Sequence, residues 1–595
     1  MIGAPAVTPR YATLLDMLAD AARTDVHLVF VDRTEQDLHV PMAHVRRRAM
    51  SIAAELMARG VQKGDRVALV LPTSPEFVEC LFGVLCAGAI PVPLYPPVRL
   101  GKLDEYHAKT AAMLRAVDAA MVVTDERIRR FLGAAVQHAA PRLGCVTAAS
   151  LEGWNAVEIG ASANDVALIQ FSSGTTKDPK PVSLTHSNLL HNLASIEHYL
   201  LEAGPHPVGV TWLPLYHDMG LIGNLLSAFY MKSRLVLLPP ELFVAAPGAW
   251  LRAISRHRGT VTAAPNFAFG LCLKRIRDEE LDGVDLSSWK VSLNGAEAVS
   301  AAVQRQFCER FARWGFRQSA LTPCYGMAEA SLGVTFKPPG TAFRTVGVDA
   351  DKLAREGVVA PGSKELVSVG RPLAGVEVDI RDEATISLPP GRVGRIFVRG
   401  ASVMAGYFGR TDLTDQAIHN GWLDSGDLGF ILNGELFVCG RLKDVIVVRG
   451  ANHAPEEFEA ALESVPGVRT GCAVAVGYIP AGQHDEALAM LVETTPEAPP
   501  TLAEDVASSV QARTQIRPAH VELLAPGTLP RTSSGKLRRR EARDQWLQGT
   551  LSAPRKVSTT RLLAAAAHGE LAHARARLAR RTAGTPSLTR NGRGR

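Results

Sequence analysis

"RVALVLPTSPEFVECLFGVLCAGAIPVPL", Arg66 to Leu94, carries the reading that decides the fold. "RVALVL" is a β-branched apolar run. Ser74 then stands as an N-cap with Pro75 at the first helical position, and Phe77, Leu81, Val84 and Leu85 recur at helix spacing before "IPVPL". The stretch therefore predicts one strand–helix–strand unit. It contains most of the longest uncharged run of the chain, which its prolines exclude as a membrane helix. The alternation recurs in "AAMLRAVDAAMVVTDERIRRFLG", and again where "VALIQF" leads to "HSNLLHNLASIEHYL", whose Leu189, Leu193 and Ile196 share a face. Repeated alternation predicts an α/β fold with parallel sheets covered by helices.

Beyond about Leu366 the texture changes to β-rich segments, "VGRIFVRG", "GELFVCG" and "DVIVVRG", separated by glycine turns. The region from "EEFEAALESV" to "HVELLAPG" has helices and strands enough for a smaller α+β domain. After Ser552 the chain turns rich in Ala and Arg, with one short helical pattern and a Gly/Arg/Ser end expected to be disordered. A chain of 595 residues exceeds a single core of roughly 250 to 300 residues.

With 47 % hydrophobic and 21 % charged residues, the composition is that of a folded globular protein. The net charge of +6 is local: from Arg555 onward ten Arg or Lys face only Glu570. The body is near neutral, and no nucleic-acid partner is expected. Eight scattered cysteines form no C-x-x-C pair, which fits a reducing cytoplasm, and the N-terminal residues show no signal-peptide pattern.

In "FSSGTTKDPKPVSLTH", Phe171 to His186, hydroxyls, a glycine and two lysines lie between a predicted strand and a predicted helix. Such a set either wraps polyphosphate oxygens or is a plain connector. Other segments decide between the two: "WLPLYHDMGLIG" (Trp212 to Gly223), "LNGAEAVS" (Leu293 to Ser300), "CYGMAEASLG" (Cys324 to Gly333), "WLDSGDLGF" (Trp422 to Phe430), "GRLKDVIVVRG" (Gly440 to Gly450) and "LPRTSSGKLRRRE" (Leu529 to Glu541). With the loop, this ordered series resembles that of the adenylate-forming enzymes, which include acyl-CoA synthetases, luciferases and peptide-synthetase adenylation domains. The resemblance runs from about Leu14 to Arg543 and leaves out the basic tail.

The resemblance implies a large domain over 1–439, a hinge at 440–445 with Lys443, a small mobile domain over 446–548 and a tail over 549–595. It implies ATP as substrate, held at the phosphates by Ser172, Ser173, Gly174, Thr175, Thr176 and Lys180. Gly295, Ala296, Glu297, Tyr325, Gly326, Met327 and Ala328 would form the adenine slot, with Asp427 and Arg441 on the ribose and Glu329 on Mg²⁺. Lys536 would bridge carboxylate substrate and α-phosphate. His217 would position the acyl carboxylate or gate its pocket, and would not act as a base, since a carboxylate needs none at neutral pH. Relatives usually read T-S-G-T-T-G-x-P-K-G in the loop, so Ser172, Lys177 and Pro181 depart from the pattern.

Within that superfamily the wording of "WLPLYHDMGLIG" and "VIVVRGANHAPEEFE" is most similar to the fatty acyl-AMP ligases. So is the long link "KPPGTAFRTVGVDADKLAREGVVAPGSKE" (Lys337 to Glu365), a candidate insertion restricting domain motion. The implied activity is formation of a fatty acyl-adenylate and its transfer to an acyl carrier protein. Coenzyme A as acceptor and a degenerate nucleotide- or lipid-binding member are the alternatives. "LFVAAPGAWLRAI" and "TAAPNFAFGLCL" serve equally as acyl tunnel or as plain core.

Overall fold

The computed structural model describes residues 1–97, 100–153, 155–172, 179–204, 206–463, 465–480, 482–483, 485–532, 535–554 and 564–575. The chain divides into two compact units, one formed by Arg47–Gly160 with Arg555–Arg595, the other by Met1–Arg46 with Ala161–Pro554.

The first unit is built on the stretch quoted above. Strands Arg66–Val70, Ile90–Pro93, Ala119–Thr124 and Cys145–Thr147 form one parallel sheet in which Arg66–Val70 lies between Ile90–Pro93 and Ala119–Thr124. The Pro75–Cys86 helix starts as its sequence dictates: Ser74 accepts from Phe77 N–H at 3.4 Å, satisfying one of the unpaired first-turn donors. The Met42–Ala58 helix from residue 47 on, Leu103–Ala116 and Glu126–Ala139 supply the other long helices. A helix at 564–575 packs on the last of these. A Cβ on Gly569 would lie 1.9 Å from the Arg130 carbonyl, Arg129 pairs with Glu570 at 2.9 Å, and the His573 ring nitrogen lies 2.8 Å from the Arg129 carbonyl.

The second unit holds a nine-stranded sheet whose centre, Val261–Ala264, Val291–Asn294 and Leu321–Gly326, is parallel. Trp250, Trp289, Phe269, Phe307 and Phe311 fill the core against it. A six-stranded antiparallel sheet includes Val376–Arg381, Gly394–Gly400, Trp422–Leu432 and Glu435–Arg441, the β-rich region expected from the glycine-punctuated runs. Residues Lys337 to Glu365 contain the Ala350–Glu356 helix between the antiparallel strands Thr345–Val348 and Lys364–Val367. From Ile446 onward the chain has its own apolar cluster, with Phe458, Leu488, Met490, Leu502 and Val506. Among the described residues no helix is long and apolar enough to cross a membrane.

One local expectation fails. The hydroxyl-rich loop does not run from strand to helix. It joins Val166–Phe171 to an antiparallel strand, Pro181–Thr185, which pairs on its other side with Gly406–Tyr407. Pro181 opens that strand opposite Phe171, and its carbonyl accepts from Phe408 N–H at 2.8 Å. Only then does the His186–Ala203 helix begin, capped by Thr185 and burying Leu189, Leu193 and Ile196.

Candidate active site

The floor of the site is made where two parallel strands end, the edge at which open α/β sheets bind ligands. After Val291–Asn294 comes Gly295, where a Cβ would stand 2.7 Å from Cys324 Sγ, so the next strand closes over it. Ala296 follows at φ +69°, turning the chain so that Glu297 faces the Asn266–Arg275 helix. Glu297 Oε1 accepts from Phe267 N–H at 2.6 Å, a carboxylate on a helix N-terminus. Burial nevertheless holds its pKa above the usual carboxylate value.

Leu321–Gly326 ends in the second turn. A Cβ on Gly326 would lie 1.9 Å from the Leu332 carbonyl, the same oxygen that accepts from Met327 N–H at 2.8 Å. Only glycine fits there. Ala328 is buried, and Glu329 follows in a 3-10 turn. The Glu329 carboxylate accepts from Tyr407 O–H at 3.1 Å. Burial raises its pKa, against the charges of Arg441 and Lys180 and the Tyr407 hydrogen bond. This buried anion has less positive charge around it than its ionised form requires.

On one wall, strands Trp422–Leu432 and Glu435–Arg441 set Asp427 directly opposite Arg441. Arg441 Nε donates to Asp427 Oδ1 at 3.0 Å, and Tyr325 O–H donates to Oδ2 at 2.7 Å. Burial, and next the charge of Asp427, push the Tyr325 hydroxyl well above its ordinary pKa. On the loop side, Lys180 Nζ stands 4.7 Å from the centre of the Tyr407 ring, and Ser172 N–H donates to the Lys180 carbonyl at 3.0 Å. Burial lowers the Lys180 pKa while Glu329 acts the other way. Ser173, Gly174, Thr175, Thr176 and Lys177 lie outside the described residues.

The third side comes from two distant segments. Gln170 Nε2 donates to the Tyr216 carbonyl at 3.0 Å, tying the strand before the loop to the turn that carries His217. His217 is buried, and its Nδ1 lies 2.7 Å from Asp218 Oδ1. Its Nε2 is also buried and has no hydrogen-bond partner among the described residues. Lys536 sits in a tight turn: Thr532 N–H donates to the Lys536 carbonyl at 2.8 Å, and Lys536 N–H donates to Thr532 Oγ1 at 3.0 Å. Burial lowers the Lys536 pKa, and the charges of Asp218, Glu297 and Asp427 oppose that, so this lysine stands among carboxylates of three other motifs.

Lys443 is exposed in the turn Leu442–Asp444. Beside it Asp444 is buried, and burial raises its pKa against the charge of Arg539. Arg539 Nη1 lies 4.0 Å from Asp444 and 2.9 Å from Glu456, and Nη2 lies 2.7 Å from Glu459. The structure thus brings Lys180, Glu297, Tyr325, Glu329, Asp427, Arg441 and Lys536 into one network of interacting charges. Sequence reasoning missed Tyr407, Phe267 and Gln170, which act through a hydroxyl, a backbone N–H and a side-chain amide and carry no spacing signal. It gave Asp218 no role, although its place next to His217 was an available clue.

The model of the AMP-binding enzyme family matches residues 19–408. A putative acyl-CoA synthetase of Caulobacter vibrioides is 33 % identical over 523 residues, covering 86 % of this chain and 91 % of its own. The medium-chain-fatty-acid–[acyl-carrier-protein] ligase JamA of Moorena producens is 32 % identical over 580 residues, covering 91 % and 96 %. Among solved structures, one from a study of fatty acyl-adenylate ligases of E. coli and L. pneumophila superposes with a TM-score of 0.86 at 33 % identity, covering 92 % of this chain and 99 % of its own. The fatty acyl-adenylate ligase of L. pneumophila in complex with acyl adenylate and pyrophosphate gives 0.70 at 30 % identity, covering 90 % and 96 %.

Proposed function

This chain belongs to the AMP-binding, adenylate-forming enzymes, and we propose that it activates a fatty acid as its acyl-adenylate and passes the acyl group to the phosphopantetheine thiol of an acyl carrier protein. The observation that carries the first half is the position of Lys536 among Asp218, Glu297 and Asp427. A carboxylate oxygen of the acid attacks the α-phosphorus of ATP, the bond to the β-phosphate oxygen breaks, and pyrophosphate leaves. Both reactants are anions, so charge neutralisation and positioning supply most of the rate. Lys536 spans the two, as a single charge on a flexible stem suits. Lys180 and the loop 172–176 hold the phosphates. His217 Nε2 faces the acyl carboxylate.

Asp427 and Arg441 hold the ribose; a ribose hydroxyl donating to Asp427 takes the place of the Tyr325 hydroxyl, freeing that ring to lie on the base. Gly295, Ala296, Glu297, Gly326, Met327 and Ala328 complete the slot. Mg²⁺ fits Glu329, because a hard cation that binds one carboxylate and phosphate oxygens answers the uncompensated burial of that side chain. When bound, it neutralises phosphate charge.

Transfer follows by rotation of the small domain, 446–548, about the hinge 440–445. The carrier-protein reading draws on the link 337–365: Lys364 Nζ lies 2.7 Å from Glu457 Oε2, and Arg355 Nη1 donates to the Arg449 carbonyl at 3.1 Å. A link that grips the small domain disfavours free rotation to accept coenzyme A. JamA, named for a carrier-protein acceptor, supports the same choice; the Caulobacter relative, named for coenzyme A, favours the alternative. Fatty acids of graded length, assayed for acid-dependent ATP–pyrophosphate exchange and then with each acceptor for thioester, test both halves. Efficient acyl-CoA formation refutes the second.

A further inference from the structure

Asp218 is the acidic residue of the site for which the reaction above has no use. It opens the helical turn Asp218–Gly220 with its side chain mostly buried, the kind of carboxylate that persists only when it is paired. Its Oδ1 is 2.7 Å from His217 Nδ1 and accepts from Met219 N–H at 2.7 Å. The Met219 N–H lies farther from the imidazole, 3.3 Å from Nδ1. The shorter contact assigns the Nδ1 proton as donor to Asp218, which orients the ring and leaves the buried Nε2 without a partner among the described residues. The Gln170 hydrogen bond to the Tyr216 carbonyl holds the same turn against the strand before the phosphate loop. The ring direction is therefore set by a framework and is not left to rotamer choice.

We propose that Asp218 is a positioning residue for adenylation, orienting His217 through Nδ1. The inference rests on the adenylation reading and extends it. In support, burial acts to raise Asp218, but the charge and hydrogen bond of His217, the charge of Lys536 and the Met219 N–H outweigh it and hold its pKa below the usual carboxylate value. For Lys536, Asp218 is the largest of the charges that oppose the cost of burial.

The test is acid-dependent ATP–pyrophosphate exchange by the full chain, comparing Asp218→Asn, Asp218→Glu, His217→Ala and the Asp218→Asn/His217→Ala double variant. Asn keeps the shape and the Oδ1 acceptor but loses the charge. The expected result is a fall in kcat of about 100-fold for Asp218→Asn, the loss associated with displacing a catalytic group by about 1 Å, with the KM for ATP little changed. Asp218→Glu retains more activity than Asp218→Asn. The double variant is no slower than His217→Ala, because Asp218 acts through that imidazole. The proposal is overturned if Asp218→Asn stays near wild type, if Asn and Glu fail alike, or if the double variant shows both deficits in full. Absence of acid-dependent exchange in the wild type is a different failure, that of the adenylation reading.

Discussion

Replacing Lys364 by Ala removes one partner of the ion pair between the 337–365 link and the C-terminal part of the chain. Lys364 Nζ is 2.7 Å from Glu457 Oε2, with side-chain exposures of 24 % and 13 %. A fully exposed pair is worth about 0.2–1 kcal/mol, and stranding one charge of a fully buried pair costs about 3–5 kcal/mol. A pair with these exposures falls between, at about 1.5 kcal/mol, a tenfold change in the closed-to-rotated ratio. His453 Nδ1, 3.7 Å from Glu457, remains as a weaker partner and keeps the figure near the lower end. Lys364→Ala is therefore expected to raise acyl transfer to coenzyme A about tenfold while acid-dependent pyrophosphate exchange changes by less than about twofold. Thioester formation is followed by mass spectrometry with both acceptors. The same latch has a pH signature. Burial tends to raise the Glu457 pKa, but His453 and Lys364 hold it below the ordinary 4.5. Its stabilisation is full above 4.5 and is lost as pH falls through the lower folded value, so neutral assays see the latch intact. If Lys364→Ala leaves both half-reactions and the melting temperature unchanged, the link does not restrain the small domain.

Gly326→Ala puts a Cβ 1.9 Å from the Leu332 carbonyl, so the turn must shift and the Met327 N–H bond to that oxygen is disturbed. The expected loss is about 2 kcal/mol by denaturant titration, with a raised KM for ATP. Lys337 is buried, donates to the Ser319 and Thr341 carbonyls at 3.0 and 2.5 Å, and has a pKa lowered by burial from 10.5 to about 8. Between those values the unfolded chain holds the extra proton, so the wild type should gain stability relative to Lys337→Met as pH rises from 8 to 10.5; parallel curves would refute the shift. Gly569→Leu should undock the 564–575 helix from Arg130, seen as faster tryptic cleavage at Arg575 by limited proteolysis with mass spectrometry.

The alternating unit of Arg66–Leu94 was legible because everything that fixes it is local: a strand run, a Ser cap, a proline and a 3.6-residue stripe. The strand Pro181–Thr185 was not, because five residues opening with proline and leading straight into a helix give no distinct period. Its identity as a strand comes from pairing with Val166–Phe171 and Gly406–Tyr407, the second more than 200 positions away. The candidate site divides the same way. Its motif residues were readable as a series, whereas the bonds that set them, Glu297 to Phe267 N–H, Tyr407 O–H to Glu329 and Arg539 towards Asp444, join segments with no local signature.

Those nonlocal bonds also bear on how the proposed small domain could leave. Lys274 Nζ reaches Thr470 Oγ1 at 2.5 Å and Lys364 reaches Glu457. At about 1 kcal/mol for the first and about 1.5 kcal/mol for the second, they oppose rotation by about 2.5 kcal/mol, which leaves the rotated state populated at about 1–2 %. Asp444 works against the closed arrangement, because burial raises its pKa and water would solvate the carboxylate once Arg539 moved away. Lys536 likewise loses more by burial than the charges of Asp218, Glu297 and Asp427 return, so anionic substrates are needed to complete its neutralisation. Consuming the substrate carboxylate in adenylation removes one more anion from the neighbourhood of that lysine. On the proposed reaction the closed state is favoured most while adenylation is pending and least once pyrophosphate has left, which is the order that two half-reactions sharing one site require.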